Sequence, residues 1–175
     1  MISNTELRNK VRRRSGFRCE FCGISETDSG GELTIDHFRP KSKGGDDSSE
    51  NLIYSCIRCN QYKLDYWPET SEEPMLFNPR IEKFRDHFLK LDDGTLYPLT
   101  PTGTFTLKRL RLNRPPLVAN RLRKIRKIED DRLLKKYESL AHLLDQMLSQ
   151  QTELMEEQQK LLREQYELLD LLLKR

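Results

Sequence analysis

Long apolar runs are missing from this sequence. Nothing in it approaches the roughly 20 consecutive apolar residues that a membrane span needs. The first 18 residues are studded with basic side chains and carry no apolar stretch of the kind an export signal contains. Membrane and secreted classes are therefore set aside, and a cytoplasmic protein is expected. Apolar residues make up only 35% of the 175, against roughly 45–50% in an average globular domain. The chain is too polar to be globular throughout, and its length suits one or two small domains. Aromatic residues are few, and no stacking motif for unpaired bases stands out, which argues against RNA as a substrate. Tyr62, Tyr66 and Trp67 are the best candidates for such a motif and read more readily as core. Neither proline nor glycine occurs from Leu117 to Leu173, so the usual helix breakers are absent there.

What is present is charge, 34% of the residues, in separate blocks. One basic patch holds Arg8, Lys10, Arg12, Arg13, Arg14 and Arg18. A second, Lys108 to Lys127, has nine basic residues and no acidic one. The last block, 128–175, is acidic on balance. Basic patches of this density release counterions from a nucleic-acid backbone, although each also reads as a solvated helix face.

Ser3, Asn4 or Thr5 can cap a helix to about Arg14, ended by Ser15-Gly16. Glu32–Phe38 and Asn51–Cys56 read as strands, flanking a loop marked by Gly44-Gly45 and Asp46-Asp47. A helix from Arg58 to about Leu64 follows. Pro68, Pro74 and Pro79 mark a connector. Asp93-Gly94 is a turn signal between Phe88–Leu91 and Thr95–Leu99, so 88–112 reads as a hairpin or, with Thr104–Leu112, a three-strand meander. Asn113 then caps, and Pro115-Pro116 starts, a long helix. Its leucines recur in heptads: Leu133, Leu140, Met147, Leu154, Leu161 and Leu168, with Leu134, Leu148, Met155, Leu162 and Leu169 beside them and Gln151, Gln158 and Gln165 flanking. Such a coiled-coil-like stripe is wider than a two-stranded seam and needs a partner. That partner is a homo-oligomer of 115–175, a partner protein, or the N-terminal module folded back. The expected division is 1–68, 69–114 and 115–175.

Four cysteines form two CxxC pairs, Cys19/Cys22 and Cys56/Cys59. Each pair places two thiolates on one knuckle, and two knuckles complete the tetrahedral shell of a structural zinc, one per chain. A redox CxxC is the rival reading, and the doubling of the pair favours zinc. Loss of the metal is expected to unfold the module, which otherwise has little core.

Between and after the knuckles lie Ile35-Asp36-His37-Phe38-Arg39-Pro40, Gly44-Gly45, Glu50-Asn51-Leu52 and Cys59-Asn60-Gln61-Tyr62-Lys63. This order resembles the HNH endonuclease family in its zinc-knuckle form, with Asn60 at the position of the second histidine, the variant called HNN. The resemblance covers about a quarter of the chain. It implies an α+β fold built on a small ββα-metal module, here with a short β-meander extension and the long C-terminal helix. It also implies metal-dependent hydrolysis of DNA by a one-metal mechanism, leaving 5′-phosphate and 3′-hydroxyl ends. In those roles His37 is the general base, and Asp36 and Asn60 hold a catalytic Mg²⁺ or Mn²⁺. Asn51 orients His37 or braces the loop. Contacts to DNA are expected from Lys63, Arg39, Lys41 and Lys43, from Arg12, Arg13 and Arg14, and from Arg109, Arg111 and Arg114. His87 and His142 are expected to be structural. Met75–Pro79 and the stretch to Arg114 resemble an extension of some bacterial HNH proteins. A role in bacterial or phage DNA processing, or in anti-phage defence, follows as an expectation. The alternatives are a non-catalytic zinc DNA-binding regulator with a zipper tail, or the nuclease subunit of a larger complex containing an ATPase.

Overall fold

The computed structural model describes residues 4–173. Its elements are α1 (Asn4–Arg14), α2 (Glu26–Ser29), β1 (Thr34–His37), β2 (Leu52–Ser55), α3 (Ile57–Lys63), α4 (Phe84–His87), β3 (Phe88–Lys90), β4 (Leu96–Pro98), α5 (Pro101–Arg109) and α6 (Pro115–Leu173). By packing, the chain divides into Met1–Ile125 and Arg126–Arg175. The fold is α+β, with two small antiparallel sheets and a long final helix. No helix among the described residues is long and apolar enough to cross a membrane.

In the first unit β1 and β2 pair in the register Asp36 to Ile53 and His37 to Leu52. Two strands of this length are marginal alone, so the sheet depends on what covers it. All of β2 is buried, and Val11 of α1, Phe21, Leu33 and Phe38 join Ile53 and Tyr54 in one core. A polar clamp ties three elements together. Tyr54 of β2 donates its hydroxyl to Glu26 of α2, and Arg12 of α1 grips both oxygens of Glu26 at 2.6 and 2.7 Å. Arg12 holds this carboxyl far below the usual range, at about 2, with help from Tyr54. Leu76, Phe77, Phe88, Leu96, Leu110 and Leu112 extend the same core beneath β3 and β4.

The hairpin at Asp93-Gly94 forms, but the third strand of a meander does not. Residues 101–109 are helical because Pro101 sits in the first turn and the Thr100 hydroxyl accepts from the Gly103 N–H. Gly103 is required there, since a Cβ would lie 2.4 Å from the His87 carbonyl oxygen. The Asn113 oxygen meets the helix it precedes through the Arg121 guanidinium, at 3.3 Å, and not through the backbone of its first turn. The Asn113 amide accepts from the Leu96 N–H at 2.8 Å and donates to the Leu96 carbonyl at 2.9 Å, and so pins β4. Of the residues considered as caps for α1, Ser3 lies outside the described residues and Thr5 sits within the helix.

The start of α6 belongs to the first unit. Arg121 donates to the carbonyls of Gly94 and Leu112, and Lys124 pairs with Asp28 at 2.9 Å. From Arg126 to Leu173, every residue whose burial is described is exposed, the heptad leucines included.

Candidate active site and metal centre

Both CxxC knuckles converge. Cys19 and Cys22 sit on a turn closed by the Gly23 N–H on the Cys19 carbonyl. Cys56 is the N-cap of α3, its sulfur accepting from the Cys59 N–H, and Cys59 follows in the first turn. The four sulfurs lie within 4.8 Å of one another. A tetrahedron with sulfur about 2.3 Å from a central zinc has edges of about 3.8 Å, and Cys22 and Cys56 are 3.8 Å apart. The neighbouring sulfurs, Cys19 first, push the Cys22 and Cys59 thiols far up. Four thiolates cannot share this space without a cation. The cysteines are thus positioned to bind a metal ion, and the donor set suits structural zinc. Arg114 reaches in from the start of α6, one nitrogen 3.7 Å from both Cys56 and Cys59 sulfurs. A guanidinium there offsets charge on the thiolates.

The second constellation gathers where β1 ends. Adjacent strand residues face opposite ways, and Asp36 and His37 do so here. The Asp36 carboxylate is mostly buried and turned toward α3, 3.3 Å from the Lys63 ammonium. Burial raises the Asp36 carboxyl and lowers the Lys63 ammonium, each against the pull of its partner. The buried Asp36 oxygen that faces Lys63 has that ammonium as its counter-charge and makes no hydrogen bond besides. His37 turns to the loop, with Nε2 at 2.8 Å from Asp47, whose other oxygen takes the Lys41 ammonium at 2.8 Å. Sequence reading took Asp46-Asp47 only as a turn signal. The role of Asp47 depends on a loop that returns to the strand after ten residues, which no local pattern announces.

Asn51 resolves its two expected roles in favour of the loop. Its amide accepts from the Arg39 N–H and donates to the carbonyls of Arg39 and Asp46, at 2.8, 3.0 and 2.8 Å. This joins the two ends of the Pro40–Glu50 excursion. Gly45 lets the loop close, because a Cβ there would fall 1.8 Å from the Arg39 carbonyl oxygen. Asn60 lies on α3, half-buried, its N–H bonded to the Cys56 carbonyl.

The expected DNA contacts divide. Lys63 is fully buried, donating to the His37 carbonyl at 2.6 Å, so it serves the site from inside and does not meet a phosphate. Arg14 binds the carbonyls of Ser49 and Leu52, and Arg12 belongs to the Glu26 clamp. Arg109 donates to the Lys63 carbonyl and covers the Tyr66 ring at 4.1 Å. Arg114 faces the cysteines. These four cations, like Lys63, hold the fold because their partners are backbone carbonyls, sulfurs or carboxylates already in place. Arg13, Arg39, Lys41 and Arg111 are exposed, and Lys43 is drawn to Glu69 at 2.7 Å. Of the other histidines, His87 bonds Thr100 and lies 3.2 Å from Glu82, while His142 is exposed and meets Gln146 one turn on. A cavity of about 1320 Å³ lies against Ile57, Arg58 and Tyr62 of α3, with Lys108 and Arg111 opposite, and contains none of Asp36, His37 or Asn60.

Residues 19–65 match the family model described as HNH endonuclease. The match spans both knuckles, Asp36, His37, Asn51, Asn60 and Lys63, and supports a nuclease or DNA-binding function. No curated protein and no solved structure matches the chain.

Proposed function

We propose that this protein is a metal-dependent DNA endonuclease whose cutting module is residues 1–68. The observation that carries the reading is the junction of β1 with α3. A histidine and a carboxylate leave one strand end on opposite faces, and a zinc-type knuckle starts the helix that carries Asn60. In this reading His37 takes a proton from the attacking water, as an imidazole is suited to do near neutral pH. Asp47 holds the ring from the loop, and Asn51 holds the loop. Asp36 and Asn60 supply oxygen ligands for Mg²⁺ or Mn²⁺. When bound, that ion neutralises charge on the phosphate and stabilises the departing 3′ oxygen. Arg13, Arg39, Lys41, Lys43 and Arg111 meet the DNA backbone. Among the described residues, the four cysteines are the one group of three or more His, Cys, Asp or Glu side chains close enough to share an ion. At the second site Asp36 is the carboxylate assigned to the ion, and water and phosphate complete its shell in this reading.

Residues 69–114 brace the module, and 115–175 associate with a second copy through the exposed leucine stripe. Bacterial or phage DNA processing, anti-phage defence included, is the setting we assign, on the likeness of the 75–114 stretch to bacterial proteins of this kind. Plasmid cleavage in Mg²⁺ or Mn²⁺ tests the activity. The wild type is expected to nick or linearise DNA, and His37→Ala to lose at least about a hundredfold in rate with zinc still bound. A zinc-loaded wild type that binds DNA and never cuts it returns the protein to the regulator reading.

A further inference from the structure

The Lys63 ammonium is the least expected feature of the site. It is wholly buried, it touches the His37 carbonyl at 2.6 Å, the Asp36 carboxylate at 3.3 Å and the Leu64 carbonyl at 3.4 Å, and α5 secures it through Arg109 on its own carbonyl. Burying a lysine is costly unless it is paired, and here the pair is with the one carboxylate proposed to hold the catalytic ion. The Asp36–Lys63 pair carries no net charge, whichever partner holds the proton. Asn60 adds a neutral oxygen, and Asp47 is already countered by Lys41. A hard divalent ion thus meets oxygen ligands without net negative charge. Mg²⁺ sheds water reluctantly and in such sites relies on substrate phosphate for the missing charge.

We infer that Lys63 keeps the site electrically neutral so that the divalent ion is held only together with a DNA phosphate. Metal and DNA then bind cooperatively, each raising the affinity of the other by the same factor. The isolated protein carries its zinc but little catalytic ion, and assembly of the cutting site is conditional on substrate. Lys63 is a positioning residue that acts through Asp36 and the His37 backbone. The inference rests on the nuclease reading for the identity of the ligand at Asp36.

Mn²⁺ binding, followed by electron paramagnetic resonance, tests it without any cutting. The protein is zinc-loaded full-length His37→Ala, so that DNA stays intact. A short duplex is expected to tighten Mn²⁺ binding by about tenfold or more. Adding Lys63→Met removes the competing charge. It is expected to tighten Mn²⁺ binding in the absence of DNA by about tenfold, and to shrink the gain that DNA brings. A purely structural lysine predicts the reverse, since loss of order at Asp36 weakens the ion. Lys63→Gln, which keeps a donor for the His37 carbonyl, serves if the methionine variant loses its zinc. Mn²⁺ binding that ignores DNA overturns the inference, as does binding no tighter in the lysine variants than in their parent, or no binding in any of them. Wild type that cuts while its Mn²⁺ affinity ignores DNA leaves the nuclease reading standing. Cooperative binding in a protein that never cuts removes the nuclease reading alone.

Discussion

Asn51 carries more than its single side chain suggests. Three hydrogen bonds from one amide hold both ends of a loop that brings Asp47 to His37. These bonds lie at an exposed site where water can replace a lost partner, so each is worth about 0.5–1.5 kcal/mol net. Asn51→Ala is expected to lower the unfolding free energy from denaturant titration by about 1 kcal/mol, and to lower the cleavage rate with zinc content unchanged. The family motif pointed to this position, but nothing in the residue type told whether its amide would reach the histidine or the loop. Lys63 shows the opposite case. A lysine on a short helix in an HNH motif reads as a phosphate contact, and only the packing of α3 against β1 turns it inward. Asn60 stays where the motif put it, one residue after the last cysteine.

At the scale of elements, the short strands and helices borrow their stability from clamps between them. Glu26, Arg12 and Tyr54 join α2, α1 and β2, and the sign of the pH effect follows from Glu26. Its carboxyl is at about 2 in the folded protein against 4.5 for a free glutamate. The folded state therefore favours the ionised form, a contribution complete above pH 4.5 and lost as pH falls toward 2. Glu26→Gln is expected to destabilise the protein at pH 7 and to differ progressively less from wild type as pH drops through that window. Thermal unfolding across pH reads this directly, and a difference that stays constant to pH 2 rules the clamp out as its source. The zinc knuckles act at the same scale. Cys56 and Cys59 begin α3, and Cys19 and Cys22 sit between α1 and α2, so the metal ties together elements too short to persist alone. Stripping zinc with a strong chelator is expected to abolish the cooperative unfolding transition of the 1–125 unit, and added zinc to restore it.

For the molecule as a whole, the informative contrast is between a unit with a core and a segment without one. The 1–125 unit buries Tyr54, Phe21, Phe77, Ile53 and Leu110 almost completely. In Arg126–Leu173 the residues Leu133, Leu140, Met147, Leu154, Leu161 and Leu168 are each more than half exposed. A single helix has no way to cover a stripe repeated over six heptads, and association is how such a stripe leaves water. Deleting Asp131–Arg175 is expected to convert an oligomer into a monomer by light scattering, with zinc content and the unfolding transition of the remaining unit preserved. An unchanged mass relative to the number of chains would sink the self-association proposal.

Local chemistry by itself determined a good part of this protein. Cysteine spacing announced the metal site, because two CxxC pairs are a complete tetrahedral donor set wherever the chain brings them together. The absence of proline and glycine announced α6, and Asp93-Gly94 announced the hairpin, because each of these acts within a few residues. Tertiary structure decided everything that needed a partner distant in sequence. It made α5 a helix docked under His87 where alternation suggested a strand. It turned Lys63, Arg14, Arg109 and Arg114 from candidate DNA contacts into supports, and it supplied Asp47 to His37. The reason is common to all of them. A charged side chain has the same intrinsic chemistry on a surface as in a core, and only the neighbours brought up by folding settle whether its charge faces the solvent, a carbonyl or a sulfur.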